Sequence, residues 1–311
     1  MSSGICYNIK ALIKTLTQMG IDYKTDVSAS ELSLLKCGGT AQAVVYPKTA
    51  SEIVKVIKLV KEYNVPFYVL GNGSNTLILD GGIKGVVVSL NNFRHLFIRE
   101  NRVIASAGIK LPMLSRKLAS LGYTGLEKLN GIPCSIGGAT IKNAGCYGVD
   151  FSSFIEKVFC LNTTTLKKEV VPKKNLRYSY RSSNDSFKNQ IILFVELALA
   201  KSSENLTQII SEYALKRKTS QPTEPSLGSV FLRCDDGISA GYYLDKAGLK
   251  GVKIGGATVS TKHANFIVNS GGATASDYMA LVELCESVVK NKFGITLKRE
   301  IDITGDNRLE C

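Results

Sequence analysis

Between Gly131 and Gly148 the chain reads GIPCSIGGATIKNAGCYG, and five of these eighteen residues are glycine. Glycine loses more conformational freedom on folding than any other residue, so this density implies close backbone approach or positive φ. Pro133 stiffens the entry, bulky side chains are nearly absent between Cys134 and Ala139, and Asn143 and Tyr147 offer hydrogen-bonding groups farther along. That combination suits a platform on which a flat, polar-edged ligand lies against the backbone; the competing reading is a long surface turn. A second motif, Gly71-Asn72-Gly73-Ser74-Asn75, lacks both the Lys-Ser/Thr ending of a P-loop and the third glycine of the dinucleotide fingerprint. Its continuation, TLILDGGIKGVVVSL, is rich in branched aliphatics and reads as extended chain rather than helix. A phosphate held here would meet a nest of backbone N–H groups and the side chains of Ser74 and Asn75, with no helix dipole. A Cβ at Gly73 is expected to block that approach. Alone, the motif would be a hairpin loop; with the platform, it fits a diphosphate-linked cofactor carrying a flat ring system.

Other chemistry is harder to build. The eight cysteines are scattered with no C-x-x-C pair, which argues against a zinc site and for reduced thiols in a cytosol. With only two histidines, His95 and His263, a histidine-rich metal centre is excluded, and no metal is expected. Cys134 and Cys146 read as small packing residues of the platform. The net charge of +13 comes from dispersed lysines, and the dense run Lys167, Lys168, Lys173 and Lys174 around Pro172 reads as a solvated loop. No nucleic-acid-binding signature accompanies it, so the expected partner is an anionic small molecule such as a nucleotide, not nucleic acid. No apolar run reaches the length of a bilayer span, and MSSGICYNIKALIKTL lacks a basic cluster and an apolar signal core.

The elements that must position these motifs are legible in outline. The 311 residues suffice for two or three domains, and 44% hydrophobic with 21% charged residues is ordinary for a globular protein. A helix is predicted from Tyr7 to Met19 and a short strand from Ala43 to Tyr46. Thr49-Ala50-Ser51-Glu52 is a capping-box pattern opening a helix whose Ile53, Val56 or Ile57, and Val60 recur at helical spacing. PFYVL after Pro66 reads as a buried strand, and Thr76 to Leu79 as another. Leu111, Leu114, Leu118 and Leu121 form the stripe of an amphipathic helix stopped by Gly122. Strands follow around Val158 to Leu161 and Ile191 to Leu199. The polar stretch Lys201 to Asn205 reads as a domain boundary, and a helix from Leu206 to Lys216 leads into the last domain. TASDYMALVELCESVVKNKFG is a second long helix, with an acidic first turn and Gly294 as its stop. GGAT recurs at Gly137, Gly255 and Gly271, but at unequal intervals, so no repeat is implied.

GNGSN, GIPxSIGGAxxxNAGxYG, YRSS, GSVF, AGLKG, HANFIVN and KREIDITG occur in this order across residues 35–305. Together they resemble the UDP-N-acetylenolpyruvoylglucosamine reductase family, and the short span between Arg181 and Ser229 is similar to its shorter, type II subclass. The resemblance implies an α+β chain with the FAD-binding fold of the vanillyl-alcohol-oxidase (PCMH) type in two subdomains, plus a C-terminal α+β substrate domain. The expected bounds are 1–98, joined by a C-terminal strand at about 295–305, then 99–203, then 205–294.

By the same resemblance, FAD is bound non-covalently, since no His or Cys closely follows the GNGSN loop. Its expected ligands are Gly71, Asn72, Gly73, Ser74 and Asn75 in that loop. On the platform they are Gly131, Ile132, Pro133 and Ser135, then Ile136, Gly137, Gly138 and Ala139, then Asn143 and Gly145. NADPH is the implied hydride donor and an enolpyruvyl UDP-sugar the implied substrate. Ser229 of GSVF is the implied proton donor. Arg181 of YRSS and Glu300 of KREI would stabilise enolic charge beside the substrate carboxylate, the arginine through its fixed fork and the glutamate in its protonated form or through a neighbour. Tyr147, Tyr180, Arg217, Gln221, Arg233, His263 and Asn265 are expected on the substrate, with His263 a structural hydrogen-bonder near the site. Read without the resemblance, Ser229 is a turn serine, Arg181 a solvated arginine, and Glu300 a water-facing residue of an alternating strand.

One departure stands out. After GSVF the family reads a basic residue and Asn-Pro, where this chain has Leu232-Arg233-Cys234. A shifted Arg233 could compensate, although in a strand it would point to the opposite face. Two alternatives therefore stay open: a same-fold FAD oxidoreductase acting on another substrate, and a flavin- or nucleotide-sugar-binding protein without turnover. The expected setting is the cytoplasm, as a monomer or weak oligomer without membrane insertion.

Overall fold

The computed structural model describes residues 2–306, with side chains from Asn8 onward. Cys311 and the side chain of Cys6 lie outside the described residues. The chain divides into two compact units, one comprising Met1–Thr25, Ala43–Asn72 and Gly85–Lys216, the other Asp26–Gln42, Gly73–Lys84 and Arg217–Cys311. The mixture of helix and strand agrees with the α+β expectation.

In the first unit, the helix Ala50–Glu62 starts as its sequence prescribes. Thr49 Oγ1 accepts from Glu52 N at 3.1 Å, but the Glu52 carboxylate reaches Lys48 N rather than the cap residue itself, so the box closes one residue early. Its apolar face, Ile53, Val56, Ile57 and Val60, is buried together with Leu12 and Leu16 of the helix Ser2–Gln18. The helix Leu111–Ser120 buries Leu111, Leu114 and Leu118. Leu121 does not extend that stripe: the helix ends one residue earlier, and Leu121 is 39% exposed, with Gly122 left-handed at φ 76° beyond it. A five-stranded antiparallel sheet runs in the order Lys168–Pro172, Ile155–Asn162, Gln190–Ala198, Arg102–Ser106, Leu96–Arg99. Of the lysine run expected as a loop, Lys168 opens this edge strand, where a lysine deters further pairing, while Lys167 precedes it and Lys173 and Lys174 lie in the turn that follows. A smaller sheet pairs Phe67–Leu70 with Ile83–Ser89 in parallel, Phe67 opposite Val86. Parallel neighbours need a crossover of about a dozen residues, and here residues 71–82, including GNGSN, provide it.

In the second unit, a four-stranded antiparallel sheet runs Ser226–Ser229, Phe266–Asn269, Ala257–Val259, Lys253–Ile254. The helix Ala275–Phe293 buries Tyr278, Leu281, Val282, Cys285 and Val289 in the same core as Leu77 and Phe231. Its start is capped twice: Thr274 and Asp277 form a capping box, and Asp80 accepts from Ala275 N and Ser276 N at 2.8 Å each. Gly294, at φ 74°, ends it. The strand Asp302–Thr304 pairs in parallel with Thr76–Ile78. KREI itself is not the alternating strand its pattern implied; in residues 295–301 the strand-type pairing is limited to the isolated bridge Phe231–Arg299, while Leu297 and Ile301 are buried in the unit's core. The Arg299 side chain is drawn off to Glu286 by a two-pronged ion pair at 2.6 and 2.7 Å.

Candidate active site

The first unit brings Gly71 and Asn72, the start of the GNGSN motif, against the platform. The platform is stitched to the segment after the strand Arg102–Ser106: Gly137 N donates to Ala107 O, Ile136 N to Ile109 O, and Leu111 N to Cys134 O, all within 2.8–2.9 Å. The expected flat backbone surface contains a six-residue helix, Ile136–Ile141, which the glycines had concealed. Ser135 caps it, its Oγ accepting from Gly138 N at 3.2 Å. Gly71 lies so close to Ser135 Oγ that a Cβ there would collide with it, and Asn72 Nδ2 donates to Pro133 O at 2.6 Å. Ser135, Ile136, Gly137, Ala139, Asn143 and Gly145 are buried, whereas Gly131, Ile132, Pro133 and Gly138 keep access to solvent. A ligand on the platform therefore meets the second set.

Asn143 and Gly145 serve a different purpose. Asn143 Nδ2 donates to Ser179 O at 3.0 Å while its Oδ1 accepts from Ser152 N at 3.1 Å, tying the YRSS turn to the platform. Arg181, at the left-handed φ of 56°, sends Nη2 to Gly145 O at 2.5 Å and Nη1 toward Asn143 O at 3.4 Å and Asp150 Oδ1 at 3.5 Å. A Cβ on Gly145 would collide with the Asp150 carboxylate and stand 3.0 Å from Arg181 Nη1, which is why the position is glycine. The guanidinium also covers the Tyr180 ring at 4.9 Å. Tyr147, 38% exposed, packs its ring 4.8 Å from that of Tyr213, which two lysines flank.

The chain leaves the first unit after Asn72 and re-enters it at Gly85. Gly73 sits at φ 60°, and a Cβ there would run into Leu32 O, so its glycine is demanded by the protein's own backbone before any phosphate is considered. Among the described residues, none accepts from the backbone N–H groups of Asn72, Gly73, Ser74 or Asn75. An anionic group such as a diphosphate is the chemistry that suits such a set of donors. Each set by itself fits a part of FAD: the open N–H groups of the loop suit a diphosphate, and the uncluttered backbone face at Gly138 suits a flat ring.

In the second unit, Ser229 ends the strand Ser226–Ser229 opposite Phe266, just after a bulge in which Gly228 takes φ 79°. The bulge turns the half-buried Ser229 out of the regular ladder. Val230 O accepts from Glu300 N at 2.8 Å, so the Glu300 backbone is bonded to the residue after Ser229. Asn265, expected on the substrate, is buried with both ends of its amide used: Oδ1 accepts from Phe231 N at 3.0 Å and Nδ2 donates to Phe231 O at 2.8 Å. His263 Nδ1 accepts from Asn265 N at 3.2 Å, and burial holds its pKa below the ordinary imidazole value, which keeps the ring neutral and accepting at pH 7. Gln221 N donates to Arg217 O where the helix Leu206–Ser220 ends, one turn beyond the predicted stop at Lys216.

Arg233 is not in a strand. It lies in an exposed turn closed by Cys234 N to Ile238 O, and its Nη1 donates to Gly237 O at 3.2 Å. Asp236 accepts from Ile238 N at 2.9 Å and from the Tyr243 hydroxyl, so the altered loop is internally bonded. Residues that sequence reasoning passed over are Asp150 and Tyr213; the only signal was an acid two residues after Gly148, too common to single out.

A UDP-N-acetylenolpyruvoylglucosamine reductase C-terminal domain profile matches residues 221–304, and an FAD binding domain profile matches residues 41–164. The chain is 40% identical over 278 residues to the UDP-N-acetylenolpyruvoylglucosamine reductase of Geobacillus kaustophilus, covering 88% of this chain and 90% of the relative. It is 38% identical over 296 residues to that of Lactobacillus helveticus, covering 94% and 98%. Among solved structures, the UDP-N-acetylenolpyruvylglucosamine reductase of Thermus caldophilus superposes with a TM-score of 0.76 at 31% identity, over 91% of this chain and 98% of the other.

Proposed function

The chain belongs to the UDP-N-acetylenolpyruvoylglucosamine reductase family, and from that premise we propose how its residues divide the work. The reaction is the FAD-dependent, NADPH-consuming reduction of UDP-N-acetylglucosamine enolpyruvate to UDP-N-acetylmuramate in peptidoglycan precursor synthesis, on an FAD-binding fold of the vanillyl-alcohol-oxidase type. FAD, when bound, relays a hydride from NADPH to the enolpyruvyl double bond. The backbone of Asn72 to Asn75 would hold the diphosphate, and the open rim Gly131, Ile132, Pro133 and Gly138 would receive the flat ring. With no His or Cys between Gly71 and Leu79, the attachment is non-covalent.

Hydride addition leaves negative charge on the carbon beside the substrate carboxylate and on that carboxylate itself. Ser229 delivers the proton to that carbon, which completes the C–H bond and removes the charge. A hydroxyl is a weak acid, so transfer requires a strongly basic, developing carbanion facing it. Arg181 and Glu300 stabilise the enolic charge meanwhile, Arg181 with a guanidinium already oriented by Gly145, Asn143 and Asp150. Tyr147, Tyr180, Arg217, Gln221 and Arg233 are the proposed substrate contacts. The observation that supports this reading is the bond from Glu300 N to Val230 O, which holds the Glu300 backbone against the residue after Ser229 although 71 positions separate Ser229 from Glu300 in the chain.

We take 1–98 with the strand near 295–305, and 99–203, as FAD-binding subdomains, and 205–294 as the substrate-binding domain; the pairing of Asp302–Thr304 with Thr76–Ile78 supports the first. No described helix is long and apolar enough to cross a membrane. The free state of the six described cysteines supports a reducing, cytoplasmic setting, where the protein acts as a monomer or weak oligomer. Ser229→Ala tests the assignment. Bleaching of the bound flavin by NADPH proceeds at a near-normal rate, while anaerobic reoxidation of the pre-reduced enzyme by substrate slows by about 10²–10⁴-fold, the usual worth of one general acid. Ser229→Cys recovers part of the loss, because a thiol is the stronger acid. Unimpaired reoxidation in Ser229→Ala would return Ser229 to a turn residue after Gly228.

A further inference from the structure

The last residue of the GNGSN loop does not turn back on its own loop. Asn75 Nδ2 donates to Glu300 O at 3.1 Å, and Asn75 O accepts from Asp302 N at 2.9 Å. The parallel ladder between Thr76–Ile78 and Asp302–Thr304 ends at the pair Thr76–Asp302. The Asn75 amide therefore supplies one further rung, from a side chain, where backbone pairing has stopped. On the other side of the same residue, Glu300 N donates to Val230 O at 2.8 Å, and Val230 N donates to Asn265 O at 2.9 Å. Both ends of the Glu300 backbone are thus pinned, one to the residue after Ser229 and one to the loop whose N–H groups suit a diphosphate.

We propose that Asn75 is a positioning residue for Glu300, coupling occupancy of the GNGSN loop to the geometry of the Ser229–Glu300 pair, and that its side chain is not a cofactor ligand. The inference rests on the assignment of Ser229 and Glu300 given above. Its physical basis is restricted freedom: a diphosphate on the loop backbone fixes Asn75, and a fixed Asn75 has already ordered the Glu300 carbonyl when substrate arrives. Linkage then makes the effect reciprocal, so substrate that engages Glu300 tightens FAD by the same factor that FAD tightens substrate. The residue type matters. Aspartate has the same shape but presents an oxygen to the Glu300 carbonyl, and alanine presents nothing.

The first measurement uses the unaltered chain: hydrogen exchange at the Glu300 amide, with and without FAD. Slower exchange in the FAD-bound protein is expected; equal exchange would overturn the coupling. Asn75→Ala and the isosteric Asn75→Asp are then loaded with FAD, and normal bleaching by NADPH reports intact folding and loading. FAD Kd, read from flavin fluorescence, is expected within about threefold of the unaltered protein. The Glu300 amide exchanges faster in both variants, and reoxidation by the enolpyruvyl substrate slows at least about tenfold, since small misplacements of reacting groups cost up to about 100-fold. An FAD Kd weakened more than about tenfold, with reoxidation normal at saturating FAD, would make Asn75 a cofactor ligand and overturn the inference. Glu300→Gln run alongside separates the two failures. If it too reoxidises normally, the assignment of Glu300 falls; if it is slow while the Asn75 variants are normal, only the coupling falls.

Discussion

Gly138→Ala separates the protein's own need for glycine from the cofactor's. A Cβ at Gly138 would meet only Ser135 Oγ at 3.5 Å and Cys134 Cβ at 3.9 Å, both ordinary contacts, and the residue is not in the left-handed region. It lies in the first turn of the helix Ile136–Ile141, where alanine is favoured over glycine by about 0.5–1 kcal/mol. The apo protein should therefore unfold at an equal or higher temperature. The added methyl rises from the open rim of the platform, where the flat ring of FAD is proposed to lie. Forcing one extra methyl into a tight contact costs about 1–3 kcal/mol. At 1.4 kcal/mol per tenfold, that weakens FAD by about 5- to 150-fold. The assay is titration of stripped protein with FAD, followed by flavin fluorescence, beside thermal unfolding of the apo form. Unchanged FAD affinity in a stably folded variant would refute the platform as the cofactor's resting surface. Gly73→Val is no substitute for this experiment. Its side chain would strike Leu32 O, so loss of FAD there would report a misfolded loop and nothing about the diphosphate.

Two further outcomes concern the second unit. The Asp277 carboxylate accepts from Thr274 N and Gly256 N, and these backbone hydrogen bonds, Thr274 first, hold its pKa below the ordinary carboxylate value. Its stabilising contribution is complete above the unfolded value of about 3.9 and is lost as pH falls through the depressed folded value. The stability gap between the unaltered chain and Asp277→Asn, measured by denaturant unfolding, should be widest near neutrality and close below about pH 4; a gap independent of pH would contradict the hydrogen-bond assignment. Arg233→Ala should weaken enolpyruvyl substrate binding by about 1.5–3 kcal/mol, the range for a charge-assisted hydrogen bond, with flavin reduction unchanged. An unaltered substrate KM would leave Arg233 with its bond to Gly237 O alone.

Local rules were legible wherever one stretch of chain contains the whole interaction. Thr49, the acidic first turn that holds Asp277, Gly122 and Gly294 were readable as starts and stops, because caps act within a turn or two. The tetrapeptide GGAT marks where that reading ends. It is helical at Gly137–Thr140, turns into a strand at Gly255–Thr258, and leads into a helix at Gly271–Thr274, whose threonine is the cap. Nothing within four residues distinguishes these outcomes; the partners Ala107, Asp277 and Asn269 do. Asp80, which caps a helix 195 positions later, carried no signal in its own neighbourhood. The site motifs were recognisable as motifs, yet the direction of each side chain was not. Asn265 could be read as a substrate contact because its pairing with Phe231 depends on a strand register that no local pattern encodes.

The parallel strand pair that closes the second unit bears on how the chain must be made. Thr76–Ile78 is synthesised 226 residues ahead of its partner Asp302–Thr304. At a translation rate of about 5–20 residues per second, Leu77 and Ile78 emerge from the ribosome roughly 10–45 s before that partner exists. Both side chains are almost wholly buried in the finished protein, at 0% and 1% exposure. During that interval the first unit can assemble around its larger sheets, while the crossover it carries remains an unpaired apolar strand. A nascent chain stalled before residue 302 should therefore engage chaperones through this segment. A C-terminal fragment beginning at Arg217 would have the opposite defect, a closing strand with nothing to close upon.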